Sequence, residues 1–272
     1  MIRTVYKSYY YMMVNGLSVI NIEDWLDISD TGKYFGLLWS LIEPIYKGFV
    51  VFGLIFCVIW FYTDMIDKAS RQEFTLIVFA KQCMMLVCAL SVVSLGIPLI
   101  QGIAEMGTGL METTTATTID QSILDDIYKQ IDDAGTLDLI GGLVGITLFY
   151  AVMQACSIAA IVASATRSLN FFVYACLFPL GVSDIYRNGP GSSGMRYVKK
   201  LCSLALQGAA IELILKISMQ IRASVTMANL QLQGIDAAVG IGGGGLEVIG
   251  LTIATIGAIF GAIKICDDVM GV

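Results

Sequence analysis

The sequence predicts an all-α, polytopic integral membrane protein with about five transmembrane helices plus a short re-entrant or broken helix. Three observations carry this. Hydrophobic residues fill 57% of the 272 positions and charged residues only 14%, where a soluble domain carries about 25% charge. Mean hydropathy is +0.78. Several apolar runs exceed about 20 residues, the length that crosses about 30 Å of hydrocarbon as a helix.

The elements follow in chain order. Residues 1–34 form an N-terminal amphipathic, interfacial segment. Tyr6, Tyr9, Tyr10 and Tyr11 suit the headgroup level, with Arg3 and Lys7 at the surface. No signal peptide is evident, because MIRTVYKSYYYMMVNG has no clean apolar stretch before a small-residue cleavage site. Residues 35–103 hold the first two spans, 35–62 and 74–103. Residues 104–138 form an acidic extracytoplasmic segment with eight acids and one base, Lys129. Inside it Thr118 and Gln121 fit a capping box. Ile119, Ile123, Ile127 and Ile131 then recur every four residues, and Gly135 can end the helix. This short outer helix either packs on its own spans or docks a partner.

Residues 139–272 form the transmembrane core, with spans at 139–165, 197–221 and 245–265. Between the first two lies SLNFFVYACLFPLGV, residues 168–182, which is short for a full crossing and interrupted by Pro179. It reads as a re-entrant or broken helix whose freed backbone groups need protein around them. A basic loop, 183–200, follows. VGIGGGG, residues 239–245, reads as a hinge before the last span.

Charge orients these spans. Segment 166–200 carries Arg167, Arg187, Arg196, Lys199 and Lys200 against a single acid, Asp184. Short loops rich in bases stay cytoplasmic. If 168–182 does not cross, all five bases lie inside with Lys68, Arg71 and Lys264. The outcome is five crossings, with the N-terminus outside and the C-terminus in the cytoplasm.

Several residues stand out as functional candidates. Glu43 with Lys47 and Glu212 with Lys216 are spaced four apart, which places each pair on one helical face. Lys81 lies about two turns into the second span. A lone charge at the bilayer centre costs at least about 2.5 kcal/mol, so such residues are either pore-lining, intersubunit or snorkelling groups. Gly250, Ala254, Gly257 and Gly261 line one ridge of the last span and serve close helix packing, within the chain or between copies.

The sequence offers no enzyme, cofactor or metal signature. It has no histidine, and its seven cysteines form no CxxC. GPGSSGMR has glycines at phosphate-loop spacing, but Met195-Arg196 replaces the Lys-Ser/Thr that the chemistry needs.

One stretch carries a family likeness. NFFVYACLFPLGVSDIYRNGPGSSGMRYVKKLCSLALQGAAIELILKI, residues 170–217, resembles the core of the TrbL-like polytopic membrane subunits of conjugative type IV secretion systems, in the form found on Gram-positive conjugative elements. The likeness centres on Pro179, the Gly/Ser-rich turn, the basic start of the fourth span and Gln207-Gly208. The remainder matches by length and span layout, and the outer segment is shorter than in some relatives. The resemblance implies a multi-pass subunit of the bacterial cytoplasmic membrane. It implies a homo-oligomer within a larger machine, partnered by other secretion-system membrane subunits and cytosolic ATPases, that helps pass a DNA–protein substrate. A stand-alone small-solute channel or transporter, or a non-conducting assembly scaffold, remain alternatives. The loop residues Arg187, Gly189, Pro190, Gly191, Arg196, Lys199 and Lys200 then serve membrane lipids, an ATPase or a transient nucleic acid substrate, through charge.

Overall fold

A computed structural model describes residues 3–5, 7–8, 11, 22–29, 32–71, 75–113, 125, 128–129, 132, 143–185, 192–239 and 244–272. Among these residues the main elements are α1 (Ile22–Leu26), α2 (Gly36–Ser70), α3 (Leu76–Ser94), α4 (Gly96–Thr113), α5 (Leu143–Val182), α6 (Ser193–Val239) and α7 (Gly244–Met270), with no strand. Among the described residues five stretches are long and apolar enough to cross a membrane: Gly36–Ser70, Leu76–Ser94, Thr147–Val182, Ser193–Arg222 and Glu247–Met270. The protein is therefore an all-α, multi-pass membrane protein.

Residues 168–182 are not a separate broken helix. They are the C-terminal part of α5, which runs through Pro179 without interruption. Proline removes one backbone donor, so the Ala175 carbonyl loses its helical partner. Phe171, Ala175, Phe178 and Val182, spaced by four, three and four, are all at most 1% exposed. Burial of that continuous face holds the helix together across the missing bond. The correction extends to Arg167. It lies inside α5 and is 1% exposed, not in a short loop. The loop beyond α5 loses that base.

The second span is the one that breaks. It divides at Leu95 into α3 and α4. Thr75 caps α3, its Oγ1 accepting from the Val78 N–H at 3.3 Å. Pro98 falls in the first turn of α4, where a missing N–H costs little. The Tyr46 hydroxyl donates to the Val93 carbonyl at 2.7 Å, satisfying an acceptor at the end of α3. Gly96 is required there, since a Cβ would meet the Tyr46 hydroxyl and come within 2.8 Å of the Phe178 ring.

The described chain forms two compact units, neither a single block of sequence. One comprises Asp27–Leu110, Thr166–Ala209 and Ile263–Val272. In it α2 and α3 pair as an antiparallel hairpin, and α2 meets the end of α5 at Gly53, where a Cβ would lie 2.6 Å from the Pro179 carbonyl oxygen. An aromatic cluster of Phe35, Trp39, Phe171 and Phe172 supports this contact. Their ring centroids lie 5.6–6.4 Å apart, a range favoured by tilted and edge-on ring pairs. The Trp39 indole donates to the Ile28 carbonyl at 3.0 Å, fastening the chain ahead of α2. Tyr197 closes the α5–α6 corner by donating to the Tyr174 carbonyl at 2.7 Å.

The other unit comprises Met1–Leu26, Met111–Ala165 and Ala210–Ala262. In it Lys7 forms an ion pair with Asp132 at 2.8 Å and lies 5.5 Å from the Tyr128 ring centroid. The N-terminal segment is thereby tied to the acidic segment that follows α4.

Candidate functional site: polar clusters on the last three helices

The densest polar cluster joins the start of α6 to the end of α7. Lys200, Ser203 and Gln207 are spaced by three and four, so they share one face of α6. All three converge on the Asp267 carboxylate. Lys200 Nζ meets Oδ2 at 2.6 Å, Ser203 Oγ donates to Oδ1 at 2.6 Å, and Gln207 Nε2 donates to the same oxygen at 3.3 Å. Gln207 also reaches the Ile263 carbonyl at 3.5 Å. Ser203 and Gln207 are buried, and the side chains of Lys200 and Asp267 are 24% and 22% exposed. A carboxylate with a cationic donor and two neutral ones is fully satisfied as an anion. The cluster acts as a polar clamp between two apolar helices.

A second cluster lies within the unit containing residues 210–262. Glu212 and Lys216 form an ion pair one turn apart on α6, with Glu212 only 5% exposed. Ser218 and Thr255 share a hydrogen bond between α6 and α7. Arg222 is fully buried, its Nε donating to the Ser218 carbonyl at 3.2 Å and its Nη1 meeting Met153 Sδ of α5 at 2.9 Å. Thr252 Oγ1 lies 3.8 Å from the same sulfur. A backbone carbonyl and a thioether thus meet a guanidinium contributed by an apolar helix. Elsewhere, Arg167 is fully buried in the unit containing residues 166–209, where it meets Ser168 Oγ at 3.5 Å and feels the Asp27 carboxylate.

No family model matches this chain, and no curated protein or solved structure does either. Among the described residues no group of three or more His, Cys, Asp or Glu side chains could hold a metal ion.

The singled-out residues separate into distinct environments. Glu43 and Lys47 do pair, at 2.7 Å, but on an exposed face of α2 with side chains 54% and 68% exposed. A second pair of the same order, Asp64 with Lys68 at 2.7 Å, follows farther along α2. The two pairs bracket the uncharged residues 48–63, about 24 Å of helix at about 1.5 Å per residue. Lys81 is exposed on α3. Arg196 and Lys199 are exposed near the start of α6, whereas Lys200 belongs to the Asp267 clamp. Arg187, Gly189, Pro190 and Gly191 lie outside the described residues, as do Ile119, Ile123, Ile127 and Ile131.

The small ridge of α7 faces away from its own chain. Gly250, Ala254 and Gly257 are exposed and Gly261 half-exposed, and a Cβ at any of the three glycines would meet nothing within 4 Å. The inward face is instead Val248, Thr252, Thr255, Ile259, Ala262 and Cys266, each at most 8% exposed. Sequence reasoning passed over Asp267, Arg167 and Arg222 as site residues. The available signal was a polar residue recurring on one face of an apolar helix.

Proposed function

We propose that this protein is an oligomeric, multi-pass subunit of a conjugative type IV secretion machine of the Gram-positive kind, helping move a DNA–protein substrate across the bacterial cytoplasmic membrane. The main support is how the charges are distributed. On α6 and α7, Lys200 is engaged by Asp267 and Lys216 by Glu212, inside the chain. A transporter that recognises charged solutes through side-chain charges leaves those charges open to the solute. Here these groups brace helices, as a building block of a larger assembly requires. The α2–α3 hairpin is left largely uncovered, with only 11% and 17% of its apolar windows buried. The likeness over residues 170–217 points to the same class.

In this reading the N-terminus is outside and the C-terminus cytoplasmic. The Lys7–Asp132 ion pair supports a shared side for the N-terminal and acidic segments, as the two crossings between them require. The bases at the start of α6 favour the cytoplasm for the opposite rim. Arg196 and Lys199 are the groups that meet anionic lipid, a cytosolic ATPase or the nucleic acid substrate.

The test is a transfer assay with R196E/K199E. Transfer should fall about tenfold or more, while the protein still inserts, assembles in several copies and copurifies with the membrane complex. Unchanged transfer by a correctly inserted variant would remove the role of this rim. Solute flux through the purified single chain in liposomes would favour a stand-alone transporter instead.

A further inference from the structure

Near the end of the hairpin formed by α2 and α3 lie two charges that make no ion pair among the described residues. Asp67 lies three residues before the end of α2, and Lys81 lies five residues after the start of α3. Both side chains are exposed, and neither charged group makes an ion pair among the described residues. Their neighbours are accounted for: Lys68 is held by Asp64 at 2.7 Å, and Gln82 turns inward at 6% exposure. Arg71, one turn beyond Asp67 and also exposed, is the competing base.

Depth makes these two charges complementary. At about 1.5 Å per residue, Asp67 lies about 4.5 Å and Lys81 about 7.5 Å from the same end of the hairpin. The offset of about 3 Å is within the reach of a lysine side chain. Copies of a membrane protein stand in the same orientation, so groups at equal depth come face to face when two copies meet side by side. Around the two charges the surface is apolar and uncovered, with Ile66 67%, Ile77 81% and Met84 71% exposed. Lipid alone covers such a surface, and its anionic headgroups offer a counter-charge to Lys81 but none to Asp67.

We propose that the α2–α3 hairpin is a contact surface between copies of this chain, in which Asp67 of one copy pairs with Lys81 of the next. The donor and acceptor differ, so the pair forms reciprocally in a two-fold dimer and once per contact in a head-to-tail array, which is a ring where the rotation closes. The apolar residues around the pair supply the packed area, and the charges set register and partner. This inference rests on the oligomeric reading above and names the surface that serves it.

The experiment is native mass measurement of full-length protein in lipid nanodiscs for the wild type, D67K, K81D, D67K/K81D and R71Q. Each single reversal should lower the multimer fraction about fivefold, and the double reversal should restore most of it. R71Q should assemble like the wild type. Circular dichroism separates assembly loss from unfolding, and the milder D67N and K81Q variants should show the same loss in smaller degree. Single reversals that assemble normally, or a double reversal no better than either single one, would overturn this contact while leaving oligomerisation intact. A wild type that is monomeric throughout would overturn both the contact and the oligomeric reading.

Discussion

At the scale of single residues, Asp267 has the most to lose. Its two oxygens accept from Lys200, Ser203 and Gln207, all from one face of α6. Replacing it with Asn keeps the shape but leaves the Lys200 ammonium without a counter-charge. Removing one partner from a buried pair costs about 3–5 kcal/mol, and the remaining exposure of both side chains brings this to roughly 2 kcal/mol. D267N should therefore melt several degrees lower in detergent. K200M/D267L should recover part of the loss, because an apolar pair needs no desolvation. Equal melting of D267N and wild type would show that the clamp contributes nothing. Lys200 and Asp267 were both visible in the sequence, but 67 positions apart and with no signal that joined them.

At the scale of elements, the number and type of the spans were legible and their interruptions were not. The apolar runs located five crossing helices because hydropathy alone decides what lipid accepts. Proline was a poor guide to breaks. Pro179 stays inside α5, since burial on both sides of it outweighs one lost hydrogen bond, whereas the second span divides beside Pro98, where the Tyr46 hydroxyl satisfies the freed end. The α7 glycines were legible only as a ridge: spacing left packing within the chain or between copies open, and the fold shows that α7 buries the opposite face in its own chain. The contrast can be measured. G53V drives a side chain into the Pro179 carbonyl and should cost about 1–3 kcal/mol. G257V on the open ridge should change the stability of the single chain by no more than about 0.5 kcal/mol. Equal losses from both would mean that the α7 ridge is packed within the chain after all.

At the scale of the whole molecule, the charges have been sorted. The net charge is −6, and the acids concentrate before α5 while the bases gather around the start of α6. Sequence counting placed five bases in that second region. Arg167 is withdrawn into α5, and Lys200 is neutralised by Asp267. A polyanion arriving at this rim would therefore displace fewer condensed counterions than the bare sequence implies. Each phosphate neutralised contributes about 0.7 to the log–log salt slope for a single strand. Titrating single-stranded DNA binding against ionic strength should give a slope unchanged by K200Q and shallower by about 0.7 for K199Q, so that ionic strength reports which lysine has already spent its charge indoors.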